Sequence, residues 1–296
     1  TKMQQFSLSA NIEEGLSKNF QYIVTPNARD VASGLVDGYR TGIHSFTIIG
    51  SYGTGKSSFL LALEKDLQSK GSYSLLNPQT LSANAKFDVL KIVGDYKDLV
   101  SLMRDKLSVD GTADNVLDRL REIYNQAKKQ GKFLVIFIDE FGKVLEHAAK
   151  NNPEQELYFM QKLAEFVNVS TRQILLVTTL HQNFSAYARK LSTLQKEEWT
   201  KVKGRFKELV FIEPVEQLLY LASTQLNAKN DVGVNAESME KLCQLAKATK
   251  FVSDGFNSDT ANALYPLEPF SAYAMTQAIQ RYGQNERSLF SFLNAK

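Results

Sequence analysis

Two groups of residues in this chain have the types and spacing that chemistry needs. The first is Gly50-Ser51-Tyr52-Gly53-Thr54-Gly55-Lys56-Ser57, which fits G-x-x-x-x-G-K-[ST] at every fixed position. Glycines let a backbone wrap a polyphosphate with its N–H groups pointing inward. A helix opening just beyond, with Ser58 in its first turn, adds a favourable dipole. Lys56 is placed to reach the β- and γ-phosphates, and the Ser57 hydroxyl to ligate Mg2+. The second group is Asp139-Glu140, adjacent carboxylates at the end of the apolar run Phe133–Ile138. Core packing does not explain two acids there. Asp139 suits a Mg2+ ligand, direct or through water, and Glu140 suits a group that polarises an attacking water. Either motif alone has a bland alternative: a chance glycine pattern, or a strand ending on solvated acids. Together they define one phosphate-binding, metal-assisted site.

The elements that must position these groups are legible around them. Phe46–Ile49 reads as a short buried strand before the glycine loop, and Ser58–Leu63 as the start of an apolar helix. The run Phe133–Ile138 reads as a strand buried on both faces of a parallel sheet. Ligand sites of such sheets lie beyond the C-terminal strand ends, which brings the glycine loop and the two acids together. Gln173–Thr179 reads as another buried strand ending beside them. A polar group at its end could hydrogen-bond the γ-phosphate or the water; Thr179 is the first choice, with Thr178 and His181 next.

The rest of the chain supplies the frame. Thr25 and Pro26 mark a helix start, and Tyr22–Pro26 is a candidate adenine pocket or a plain surface connection. Phe87–Val93 alternates as a strand, followed by helices over Leu99–Leu107, Ala113–Lys129 and Pro153–Val169. The stretch from Phe184 to Gly204 is polar and basic, read as a solvated helical face or a nucleic-acid or subunit contact. Leu209–Ile212 reads as a fourth hydrophobic strand. Beyond Asn235 only helical patterns remain. The expected organisation is an α/β domain of residues 1–230 and a small helical domain of residues 231–296.

Composition bounds the class. The 296 residues are 43% hydrophobic and 23% charged, with a net charge of +3 and a pI near 8.7. That balance permits nucleic-acid contact without arguing for it. One cysteine, Cys243, excludes an intramolecular disulfide. No apolar run is long enough to span a bilayer, and a cytoplasmic location is expected. A chain opening on Thr1 reads as a piece of a longer protein with further domains.

The order of these pieces is similar to the AAA+ ATPases, in the branch with origin-recognition and STAND-type members. Gly50–Ser57 resembles their Walker A motif and Val135–Glu140 their Walker B motif; the strand ending at Thr179 resembles the sensor 1 strand. Gly204-Arg205-Phe206 resembles the segment carrying the arginine finger, and Arg287 (Arg281 as second choice) the sensor 2 arginine of the lid. The resemblance implies ATP and Mg2+ as cofactors, a P-loop NTPase parallel sheet with an all-α lid, and a homo-oligomer in which Arg205 reaches a neighbour's nucleotide. Segments such as Leu180–Phe184 and Gly283–Leu293 look like the N-terminal modules of large bacterial ATP-binding proteins, several encoded in anti-phage defence islands. The implied activity is ATP hydrolysis driving conformational change. A nucleotide-gated switch with little hydrolysis and a DNA-translocating ATPase are the alternatives.

Overall fold

A computed structural model of the chain describes residues 11–14, 22–69, 73–212, 215, 218–220, 222–223, 236–250, 252 and 256–282. The chain divides into two compact units. The larger comprises Ala10–Gly50 and Gly55–Phe211; the smaller has Ile212–Lys296 as its main part and also counts Ser51–Thr54.

The larger unit is built on a five-stranded, all-parallel sheet. Its strands are β1 (Ser45–Ile49), β2 (Phe87–Val93), β3 (Phe133–Asp139), β4 (Ile174–Leu180) and β5 (Lys207–Val210), in the order β2-β3-β4-β1-β5. Helices α1 (Pro26–Arg40), α2 (Lys56–Ser69), α3 (Leu99–Leu107), α4 (Ala113–Lys129), α5 (Phe141–Lys150), α6 (Pro153–Val167) and α7 (Thr193–Lys203) connect and cover them.

Every residue of β3 is buried, and alternation sends successive side chains to opposite faces. Phe133, Val135 and Phe137 join Phe46, Ile48 and the apolar residues of α1 and α2 in one core. Leu134, Ile136 and Ile138 join Leu176 and the apolar residues of α3 to α7 in the other. A strand with helices on both sides has no solvated face, which is why it reads as a continuous apolar run rather than an alternating one.

Local signals set the helix ends. The Thr25 hydroxyl accepts from the Ala28 N–H at 3.1 Å and Pro26 occupies the first turn of α1. Tyr22, in the connection before it, meets Tyr73 edge-on at 5.9 Å beside the core that holds α2. Three elements differ from expectation. Helix α5 follows Glu140 at once, where no helix was assigned. A short 3-10 helix (Phe184–Ala188) opens the basic stretch; Trp199 of α7 is buried against it, donating to the Phe184 carbonyl at 2.9 Å, while Lys196 and Lys201 face solvent. Strand β5 lies earlier than Leu209–Ile212. Among the described residues it pairs only with β1, from Phe46↔Lys207 to Ile49↔Val210. An edge strand with one partner stays partly exposed, which weakens its apolar pattern.

The smaller unit contains α8 (Ala236–Ala248), α9 (Ser258–Ala263) and α10 (Pro269–Tyr282), packed through Leu218, Leu219, Met239, Cys243, Phe256 and Leu264. No helix among the described residues is long and apolar enough to cross a membrane.

Candidate functional site

The parallel register makes three strand ends level. Ile138 of β3 pairs with Thr178 of β4, and Ile49 of β1 pairs with Leu180 of β4. Asp139, Thr179 and Gly50 therefore emerge together at the C-terminal edge, and the Gly50 N–H donates to the Leu180 carbonyl at 3.0 Å. The backbone then turns sharply. Gly53 and Gly55 adopt φ of 71° and 91°, values a side chain tolerates poorly, and α2 opens at Lys56. Thr54 is buried and its hydroxyl donates to the Ser51 carbonyl at 2.8 Å. Tyr52, Ser57 and Ser58 are half-buried and Ser51 is exposed.

Lys56 is held inside this turn, its ammonium 2.5 Å from the Gly50 carbonyl. Burial lowers its pKa to about 8, against the opposing pull of Asp139 and Glu140. That attraction reports that the phosphate-loop lysine and the two acids share one electrostatic pocket.

Asp139 is 3% exposed. Its Oδ1 accepts from the Thr179 hydroxyl at 2.5 Å and from the Glu140 N–H at 3.0 Å. The Glu140 N–H also reaches Thr179 Oγ1 at 3.0 Å. Thr179 thus uses its one O–H donor on Asp139 and accepts from the next residue's backbone. Thr178, by contrast, faces β1, with its hydroxyl 2.9 Å from that of Thr47. Glu140 sits at φ 54° and ψ 30°, left-handed backbone that costs a non-glycine residue about 1–2 kcal/mol. The conformation turns its carboxylate out of the strand direction, where it lies 3.6 Å from Lys143.

The residues fit a magnesium ion of the kind bound together with phosphates. Such an ion takes one or two carboxylates, a hydroxyl, waters and phosphate oxygens. With Asp139 Oδ1 occupied, Oδ2 and the Ser57 hydroxyl are the oxygens suited to it.

Two features of the site had weak sequence signals. Gly94, after β2, donates its N–H to the Asp139 carbonyl at 2.7 Å, and a β-carbon there would collide with the Glu140 backbone. His181, Tyr187 and Gly142 form a second cluster. The Tyr187 hydroxyl lies 3.1 Å from His181 Nδ1, and a β-carbon on Gly142 would strike that hydroxyl. Burial and the Lys56 charge lower the His181 pKa to about 4.

Arg205 is not brought to this site. Its carbonyl accepts from Ser45 Oγ at 2.6 Å, at the start of β1, and its guanidinium pairs with Glu165 at 2.8 Å. At about 3.3 Å per residue, β1 separates it from Gly50 by about 15 Å. Arg287 lies outside the described residues, and of Arg281 only the backbone in α10 is described.

A parallel sheet flanked by helices, a glycine turn feeding a helix after β1 and acids after β3 define a P-loop NTPase fold with helices C-terminal to it. The family described as ATPase family associated with various cellular activities (AAA) matches residues 46–202, more than half of the 296, and the chain belongs to it. Among solved structures it is similar to the Aeropyrum pernix ORC2 protein, at 14% identity and TM-score 0.46, covering 84% of this chain and 71% of that one. Caenorhabditis elegans PCH-2 matches at 14% identity and TM-score 0.42, covering 92% and 66%. Cdc6p from Pyrobaculum aerophilum matches at 15% identity and TM-score 0.40, covering 90% and 66%. No curated protein matches the chain.

Proposed function

We propose that this chain is a Mg2+-dependent ATPase module. The observation that carries it is the meeting of the phosphate loop and the acids at one sheet edge, with the Gly50 N–H on the Leu180 carbonyl, Lys56 on the Gly50 carbonyl and Asp139 fixed by Thr179. In this reading the loop amides from Gly50 to Ser58 and the Lys56 ammonium hold the phosphates. Ser57 and Asp139 hold Mg2+, which supplies charge neutralisation on the phosphates. Glu140 orients and polarises the attacking water, and Thr179 positions Asp139 and Glu140 rather than touching substrate. In the same reading residues 231–296 are the helical lid domain and Arg287 is its sensor 2 arginine.

Arg205 then serves a neighbouring subunit's nucleotide, because its own is out of reach. Its Nε is buried with no hydrogen-bond partner among the described residues, which supports a side chain parked on Glu165 until an assembly forms. An arginine supplied in trans contributes about 10³–10⁵ in rate where such fingers operate. The module therefore works as part of a homo-oligomer. We place it in a bacterial cytoplasmic assembly of the anti-phage type, on the sequence likenesses alone.

The test is steady-state ATP hydrolysis against protein concentration, with Lys56→Ala and Glu140→Gln alongside. A specific rate that climbs with concentration and is lost in both variants supports the reading. A flat, near-zero rate with intact ATP binding overturns hydrolysis in favour of a nucleotide-gated switch.

A further inference from the structure

We propose that Glu156 and His147 form a proton-held clamp between α6 and α5, closed while the pair shares a proton and released when it is lost, and that release loosens the backbone around Asp139 and Glu140. The ground is a match between two buried groups. His147 Nδ1 is buried with no hydrogen-bond partner among the described residues. Glu156 Oε1 lies 3.9 Å from it, beyond hydrogen-bond length. Glu156 is itself buried, and its Oε2 accepts from the Leu99 N–H at 3.3 Å. A neutral carboxyl has one O–H to donate, and the imidazole nitrogen is an acceptor that lacks a donor.

Two segments leave the acids and converge on this pair. Helix α5 opens directly after Glu140 and carries His147 about two turns further along. The connection from β2 to α3 starts at Gly94, whose N–H is held by the Asp139 carbonyl at 2.7 Å. It ends at Asp98 and Leu99, where α3 opens against Glu156. Midway along it, Tyr96 meets the His147 ring edge-on at 5.2 Å. Each segment therefore has one end on the acids and the other at the clamp.

The neighbours set the titration. Burial first, and the Asp98 carboxylate after it, raise the Glu156 pKa to about 7 against the pull of the Leu99 N–H. Asp98 is fixed as the cap of α3 by the Ser101 N–H at 2.7 Å. Lys150 stands on the far side of Tyr96, its ammonium 5.4 Å from that ring's centroid. One proton closes the gap in either of two arrangements, O–H on the imidazole nitrogen or imidazolium on the carboxylate, so the pair titrates as a unit. Closure needs a shift of about 1 Å. The sign is that of a carboxyl whose folded pKa is raised: the clamp holds at low pH and is lost as pH rises past 7. A carboxylate then faces the lone pair of a buried ring nitrogen.

The experiment reads amide hydrogen exchange by NMR in the nucleotide-free protein at pH 6.5 and 8.5, corrected for the intrinsic rise of exchange with pH. The proteins are wild type, Glu156→Gln and His147→Phe. Glutamine is an uncharged donor that no pH removes, and phenylalanine keeps a ring against Tyr96 without the nitrogen. Protection is referred to the amides of β4, which report global opening. In wild type the amides of Gly94, Glu140 and the last turn of α5 should lose about tenfold in relative protection at pH 8.5, the cost of leaving a buried polar group unpaired. Glu156→Gln should keep the protection of pH 6.5 at both pH values, and His147→Phe should show the lower protection at both. The same loss in Glu156→Gln as in wild type overturns the proposal, as does wild-type protection that ignores pH. A loss confined to the end of α5, with Gly94 and Glu140 unmoved, overturns the link to the acids. If His147→Phe does not fold, Glu156→Gln decides alone. The readout involves no nucleotide, so it stands or falls separately from the ATPase reading.

Discussion

Lys56 should make the empty protein less stable, and its removal should reveal this. Its pKa falls from 10.5 to about 8, a differential cost of about 3 kcal/mol for holding the ammonium in the fold at neutral pH. The sign is that of a base whose folded pKa is depressed. The penalty is complete below pH 8, where both states are protonated. It shrinks between pH 8 and 10.5 as the folded state loses the proton first, and is absent above. Replacing Lys56 by Met removes the penalty and leaves the Gly50 carbonyl without its 2.5 Å bond, a loss of about 1 kcal/mol. The attraction to Asp139 and Glu140 is already contained in that lowered pKa, so the net gain is about 2 kcal/mol. For a unit of this size that is a rise of about 4–8 °C in melting temperature. The assay is thermal unfolding of wild type and Lys56→Met, without nucleotide at pH 7 and pH 10, and with Mg2+–ATP at pH 7. The variant should melt higher at pH 7, lose that advantage entirely by pH 10, where the penalty has fallen by about 2.5 kcal/mol, and show none of the nucleotide-induced rise of wild type. A variant that melts lower at pH 7, or whose gain is the same at both pH values, refutes the reasoning.

Other substitutions follow from the same geometry. Thr179→Val removes a donor from Asp139 and an acceptor from the Glu140 N–H. It should cost about 2 kcal/mol and slow hydrolysis, while Thr179→Ser restores most of both; denaturant unfolding and ATPase rates check this. Glu156 is buried, accepts from the Leu99 N–H at 3.3 Å, and has its pKa raised to about 7, by burial first and by Asp98 second. A carboxyl with a raised folded pKa stabilises below about pH 4.5 and loses that contribution as pH rises through 7. Glu156→Gln should therefore gain about 1–2 kcal/mol at pH 8, after allowing for solvent screening, and much less at pH 5. Urea unfolding at the two pH values measures the difference.

Much of this site was legible because its parts are local in sequence. The glycine loop, its lysine and the helix after it are contiguous, and Asp139-Glu140 follows directly on the strand that carries it. The helices over Leu99–Leu107 and Ala113–Lys129 end where their periodicity ends. What could not be read depends on distant residues. Gly94 looks like any glycine after a strand until the Glu140 backbone is seen against it. Helix α5 is hidden because Glu140 takes left-handed backbone at its start, a turn that no proline or glycine announces. Thr179 and Thr178 are adjacent threonines with the same local signal. Only the register decides that one faces Asp139 and the other Thr47.

Arg205 joins these observations to function. The Asn168 side chain amide and Ser45 Oγ both donate to its carbonyl, and Asn168 Oδ1 also accepts from the His44 and Ser45 N–H groups. These bonds fasten the turn before β5 to the N-terminal edge of the sheet. The phosphate loop, Asp139 and Glu140 lie at the other edge. No rotamer of Arg205 crosses the length of β1, so within one chain the guanidinium and the phosphate loop cannot meet. The proposed reading takes the phosphate-holding and water-orienting groups at one sheet edge and the candidate arginine at the other as two parts of an arrangement that two copies would close. On the proposed reading, Glu165→Gln, which weakens the pairing that holds Arg205, should leave nucleotide binding unchanged. It should raise hydrolysis at concentrations where subunits associate. Raised hydrolysis at every concentration, down to where the protein is monomeric, would refute the assignment in trans.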